Sequence, residues 1–184
     1  MGQSYELYSD HELIEGCIKH KRKYQELLYR KYAKTMYGIC LSYVKDRAIA
    51  QDILQDGFIK VFNHISGFKH SGSLEGWIRK IITNTALDYL RKQSRLHNYI
   101  TPEVPEYKEP VINNGIMSDL NVEAILKMVS ELPEGARVIF NLYALEGYSH
   151  KEISQKLNIN EGTSKSQFKR AKSLLQSKIR YLMQ

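Results

Sequence analysis

At 184 residues, 42% hydrophobic and 26% charged, the chain has the length and apolar content of one ordinary domain or two small ones, which excludes a disordered polypeptide. No apolar run approaches the roughly 18 to 20 residues that span a bilayer, and the start "MGQSYELYSDHELIEG" lacks the basic head and apolar core of a signal peptide. A cytoplasmic protein without membrane insertion is expected. The formal charge of +7 is unevenly placed. Residues 1–95 carry 16 Lys/Arg against 10 Asp/Glu, residues 96–132 carry 2 against 6, and residues 133–184 carry 9 against 4. Two basic blocks around an acidic strip suit two modules that approach a polyanion, although a generic basic surface gives the same totals.

Cys17 and Cys40 form no CxxC pair, and the six histidines are scattered. Buried thiols are expected, with no metal, no cofactor and no catalytic residue.

In chain order, the first predicted element is a helix in "SDHELIEGCIK", opened by Ser9 and Glu12 at capping-box spacing. Next, "KYQELLYRKYAKTMYGICLSYV" aligns Tyr24, Leu27, Leu28, Tyr32 and Met36 on one helical stripe. Asp46 is placed to cap "RAIAQDILQDGFIKVFNHI", in which Ile49, Ile53, Phe58, Val61 and Phe62 face inward while Asp52, Gln55 and Asp56 share another side. Gly57 lies inside this helix, where it either lets another chain approach or has no consequence. "SGFKHSGS" is a loop. A helix of about 30 Å follows in "LEGWIRKIITNTALDYLRKQSR", with Trp77, Ile78, Ile81, Ile82, Thr85 and Tyr89 at helical spacing.

Three of the four prolines, Pro102, Pro105 and Pro110, fall in "TPEVPEYKEPVINNG". Proline fixes φ and removes a donor, so residues 96–119 are predicted to be a flexible acidic linker between an N-terminal domain, 1–95, and a C-terminal domain, 120–184. The latter holds helices in "SDLNVEAILKMVSEL" and "PEGARVIFNLYALEG", with Pro133 at a start and Gly147 in the left-handed position that ends one. Ser149 and Glu152 make a second capping box. Ile153 and Leu157 then face inward, Asn158 turns the chain left-handed, Ile159 plugs the corner and Asn160 caps the last helix. The fold class is all-α, two small helical domains joined by a flexible linker.

A short helix, a tight turn and a basic second helix match a helix-turn-helix, whose second helix enters the major groove. That second helix is predicted to expose Thr163, Ser164, Lys165, Ser166, Lys169 and Arg170, with Phe168, Ala171 and Leu175 inward. Hydroxyls near a helix N-terminus let phosphate approach, and the cations neutralise phosphates or read guanine edges. A hairpin of helices with a merely wet basic face is the plainer alternative. In the first domain, aromatic side chains beside a basic loop, Phe68, Lys69 and Trp77, are what single-stranded nucleic acid requires, since bases stack on rings while cations follow the backbone. Each of those aromatics taken by itself is more often a core residue.

"DRAIAQDILQDGFIKVF", "GFKHSGSLEGWIRKIITNTALDYLRK" and "LPEGARVIFNLYALEGYSHKEISQKLNINEGTSKSQFKRAK" together resemble bacterial sigma factors, and more narrowly the extracytoplasmic-function (ECF) group of the sigma-70 family. The resemblance implies that Asp52, Gln55, Asp56 and Ile59 dock on core RNA polymerase. It implies that Phe68, Lys69, Ser71, Ser73, Trp77 and Asn84 capture an unstacked base of the minus-ten element while Lys80 and Arg91 hold phosphates. Ser149, Thr163, Ser164, Lys165, Ser166, Lys169 and Arg170 would contact the minus-thirty-five element. The implied partners are core polymerase, promoter DNA (double-stranded and locally melted) and an anti-sigma protein. Two rival readings are a helix-turn-helix regulator that binds duplex DNA without polymerase, and a nucleic-acid-modifying enzyme using Asp52 and Asp56. The second lacks companion ligands.

Overall fold

The computed structural model of the chain describes residues 7–69, 71–92 and 127–182. Among them every regular element is helical. The predicted linker, 96–119, lies outside the described residues. The chain divides into two units, Met1–Tyr89 and Leu90–Gln184.

In the first unit, α1 (Asp10–Ile18) begins at the predicted capping box: Ser9 Oγ accepts from Glu12 N–H, and the Glu12 carboxylate accepts in return from Ser9 N–H at 2.8 Å. α2 (Arg22–Tyr43) buries Leu28, Tyr32, Met36 and Cys40 at successive i+4 steps, the row that faces a neighbouring helix. α1 is tied to α2 at Asp10, whose Oδ1 accepts from Lys31 Nζ at 2.7 Å and Tyr32 Oη at 2.9 Å. The helices also meet at Gly16, where a Cβ would fall 2.1 Å from Tyr24 Cγ.

α3 (Arg47–His64) starts where Asp46 Oδ1 accepts from Ala48 and Ile49 N–H at 2.7 and 3.1 Å. It buries Ala50, Ile53, Leu54, Gly57, Phe58 and Val61, an i, i+3, i+4, i+7, i+8, i+11 pattern that is one continuous apolar stripe. Ile49 and Phe62, predicted to be buried, are only half-covered, because they flank that stripe. The Phe58 ring meets Tyr29 of α2 edge-on at 4.7 Å. A 3-10 turn, Ile65–Gly67, leads through the loop to α4 (Leu74–Lys92). Ile78, Ile82, Ala86 and Leu90 of α4 are buried, each large aliphatic contributing about 1.5–3 kcal/mol when fully covered. Gly57 serves this packing rather than another chain. A Cβ there would lie 2.4 Å from Ile82 Cδ1 and 3.6 Å from Ile82 Cα, so the absent side chain lets α3 and α4 close together.

Cys17 and Cys40 are buried free thiols. Burial pushes them up to about 11 and about 12, which suits small apolar fillers rather than nucleophiles.

In the second unit, residues 127–130 are helical. α5 (Glu134–Phe140) follows Pro133 and runs directly into a π-helical turn, Asn141–Leu145. The sequence pattern does not announce that turn. Gly147 has φ +75°, as its position predicts. α6 (His150–Leu157) carries the second capping box and closes at Asn158, φ 53°, ψ 50°, the left-handed stop expected of asparagine. α7 (Glu161–Leu182) follows, with the Asn160 carbonyl accepting from Ser164 N–H at 3.1 Å. Met128, Val129, Leu132 and Ala136 pack with Ala171 and Leu175 of α7. The buried Arg137 guanidinium donates to the carbonyls of Leu132 at 3.0 Å and Ser130 at 3.4 Å, closing the turn ahead of α5.

Candidate nucleic-acid interface

α7 inherits its register from the core. Ser164, Gln167, Ala171 and Leu175 are buried at i, i+3, i+7 and i+11, and the opposite face points to solvent. Lys165 and Lys169 are exposed there, with Thr163, Ser166 and Arg170 half-covered. Ser164 departs from expectation: it is fully buried, with Oγ 2.9 Å from His150 Nδ1 of α6. Its neighbours in sequence misled because the residue lies on the inward stripe, one position before Lys165. Ser166 Oγ donates to the Thr163 carbonyl at 3.0 Å. Ser149 is exposed, but its hydroxyl donates to Glu152 at 2.7 Å, so capping occupies it.

The N-terminal end of α7 is braced by aromatic rings. His150 stacks on Tyr143 with centroids 4.4 Å apart, and Phe168 touches Tyr143 at 4.4 Å and His150 at 5.7 Å. The π-helical turn carries Tyr143 into this cluster. Burial, then the nearby Lys165, hold the His150 imidazole below its ordinary range. Lys165 Nζ lies 2.8 Å from Glu161 Oε1, and this hydrogen bond holds the Glu161 carboxyl below its usual range. Sequence spacing made that i, i+4 pair visible in principle, whereas the His150–Ser164 contact joins residues 14 apart and leaves no periodic signal.

The first unit presents two faces. On α3, Asp52, Gln55, Asp56 and Ile59 are exposed, Ile59 to 57%, at i, i+3, i+4 and i+7 opposite the buried stripe. An exposed isoleucine about one turn beyond the carboxylates combines apolar and ionic contacts within one helical face. On α4, Trp77, Lys80, Asn84 and Arg91 fall within an arc of roughly 60° of the helix circumference. Trp77 and Asn84 are half-covered, and Lys80 and Arg91 are exposed. The Phe68 and Trp77 rings lie 5.6 Å apart at 56°. Lys69, Ser71 and Ser73 are exposed in the loop, where Ser73 Oγ accepts from Gly76 N–H at 3.1 Å and so anchors the start of α4. His70 lies outside the described residues. Asp88, one turn beyond Asn84, meets Lys60 of α3 at 3.5 Å. The geometry supplies a ring pair next to cations in one unit and a cationic helix face in the other, with a separate acidic-apolar face on α3.

Residues 28–96 match sigma-70 region 2 and residues 122–175 match sigma-70 region 4. The chain is 28% identical over 150 residues to the ECF RNA polymerase sigma factor SigM of Bacillus subtilis (strain 168), covering 82% of this chain and 91% of that protein. It is 27% identical over 190 aligned residues to the ECF RNA polymerase sigma-E factor of Haemophilus influenzae, covering 97% and 99%. The fold is similar to that of CnrH, solved in complex with the cytosolic domain of CnrY, with a TM-score of 0.50, 16% identity, and coverage of 94% of this chain and 97% of that one. A helix-turn-helix regulator accounts for the region 4 match alone, and both regions occur here in order. The chain belongs to the ECF group of the sigma-70 family, the RNA polymerase sigma factors.

Proposed function

We propose that the protein joins core RNA polymerase through α3, directs it to promoters through α4 and α7, and assists melting at the minus-ten element. Asp52, Gln55, Asp56 and Ile59 form the polymerase contact. Phe68 and Trp77, with Lys69, Ser71, Ser73 and Asn84, receive a flipped base at a cost of a few kcal/mol of unstacking, and Lys80 and Arg91 follow the backbone. Lys165, Lys169 and Arg170, with Thr163 and Ser166, meet the minus-thirty-five element. Ser164 acts behind that surface as a support for α7, and Ser149 as a cap for α6. The protein catalyses no bond chemistry. The domain limits 1–95 and 120–184, an anti-sigma partner and a cytoplasmic location belong to the same proposal. Among the described residues, no helix is long and apolar enough to cross a membrane.

The observation that carries the reading is the separation of faces: an exposed Asp52/Gln55/Asp56/Ile59 patch on α3 and an exposed Lys165/Lys169 row on α7. Reconstitution tests it. Added to core polymerase, the protein should produce transcripts whose mapped starts share an upstream and a minus-ten element. Tight binding to core without any promoter-dependent start would reject the proposal.

A further inference from the structure

We infer that Glu161 is a specificity-determining residue, accepting a hydrogen bond from a cytosine amine of the upstream promoter element beside the guanine read by Lys165. The inference rests on α7 being the promoter-reading helix. A recognition helix presents its N-terminal residues to base edges, and in α7 these are Glu161, Gly162, Thr163, Ser164 and Lys165. Gly162 has no side chain, Ser164 is buried against His150, and Thr163 is half-covered. Glu161 and Lys165 are the exposed pair left in this turn, joined at 2.8 Å with side chains 46% and 62% exposed. The inward packing of Ser164 and Phe168 fixes the rotation of α7 that turns this pair outward.

The pair matches two neighbouring base pairs in chemistry. A carboxylate accepts from cytosine N4, and an ammonium donates to guanine O6 and N7. Where the DNA offers no amine at that place, the carboxylate meets acceptor atoms and phosphate charge and is repelled, so one group favours the right site and penalises wrong ones. The exposed carboxyl is ionised at neutral pH, as an acceptor must be, and the Lys165 hydrogen bond holds it further below its usual range. That bond also orients the carboxylate before DNA arrives.

The test uses the full chain with core polymerase on a barcoded promoter library randomised through the upstream element, with transcripts sequenced. The wild type should favour cytosine at one position by about 5- to 150-fold. E161Q should shift that position toward adenine, because glutamine pairs with adenine N6 and N7, and leave the other positions and core binding unchanged. E161D keeps the charge and should retain the cytosine preference. An unchanged profile in E161Q, or an equal loss at every position, would overturn the inference. A wild-type protein that drives no promoter-dependent transcript rejects the sigma reading itself, a result distinct from either.

Discussion

The two units of the chain solve the same packing problem with different materials. The first buries Leu, Ile, Met, Phe and Tyr at regular helical spacing, and two of its buried hydroxyls, those of Ser42 and Thr85, donate to carbonyls of their own helices at 2.7 and 2.9 Å. The second, with fewer buried large apolar side chains among its described residues, buries Arg137, Asn141, Ser164 and Gln167 as well. An apolar stripe tolerates exchange among side chains of similar volume, whereas a buried polar group depends on particular partner atoms. The surface of α7 is therefore set by a few directed contacts, and the surfaces of α3 and α4 by bulk packing.

The sharpest way to break this comparison is at Arg137. Replacing it with Met keeps the apolar stem and removes the donor to Leu132 and Ser130. The second unit should lose about 3 kcal/mol, read as lost amide-exchange protection there, while the fluorescence of the single tryptophan, Trp77, reports an unchanged first unit. Loss in both units together would contradict the contrast. A smaller effect is expected from Gly16→Ala in the first unit. The new Cβ meets the stiff Tyr24 ring at 2.1 Å, so the unit should lose about 2 kcal/mol, the usual cost of overpacking, seen as a lower urea midpoint by Trp77 fluorescence.

The smallest effect sharpens the polar side of the comparison. His150 has its folded pKa depressed by burial and by Lys165, and Glu161, Lys151, Tyr143 and Ser164 also face it or lie close by. Below the ordinary value of 6.5 the unfolded chain takes up a proton before the folded one does. Stability of the second unit should therefore fall as pH drops from about 6.5 toward the folded value and change little above it. His150→Tyr keeps a ring on Tyr143 and removes the titration, so its thermal midpoint should lose that slope. An equal slope in the variant would assign the effect elsewhere.

How much of this was legible in the sequence follows the same division. The caps at Ser9, Asp46 and Ser149, the left-handed turns at Gly147 and Asn158, and the stripe of α2 are local, and spacing alone placed them, whereas on α3 spacing placed Ile53, Phe58 and Val61 but not Ile49 and Phe62, which flank the stripe. The exposed face of α3 came out residue by residue, because a long helix against a flat apolar layer obeys its period. Ser164 was misplaced because chemistry suggested a phosphate contact, while its place depends on His150 across the turn. The π-helical turn at Asn141–Leu145 escaped notice, since its residues suit an ordinary helix and the extra residue per turn is set by tertiary packing of Tyr143. Gly57 needed Ile82, 25 residues away in sequence, to be understood.

The claim beneath all of this is a division of labour between the acidic face of α3 and the cationic face of α7. The most direct test compares Asp56→Lys and Lys165→Ala in two assays, affinity for core polymerase and discrimination among upstream elements at saturating core. Asp56→Lys should lower core affinity at least about tenfold, roughly 1.4 kcal/mol, and leave discrimination intact, and Lys165→Ala should do the reverse. If the two variants lose both properties to the same degree, the division does not exist.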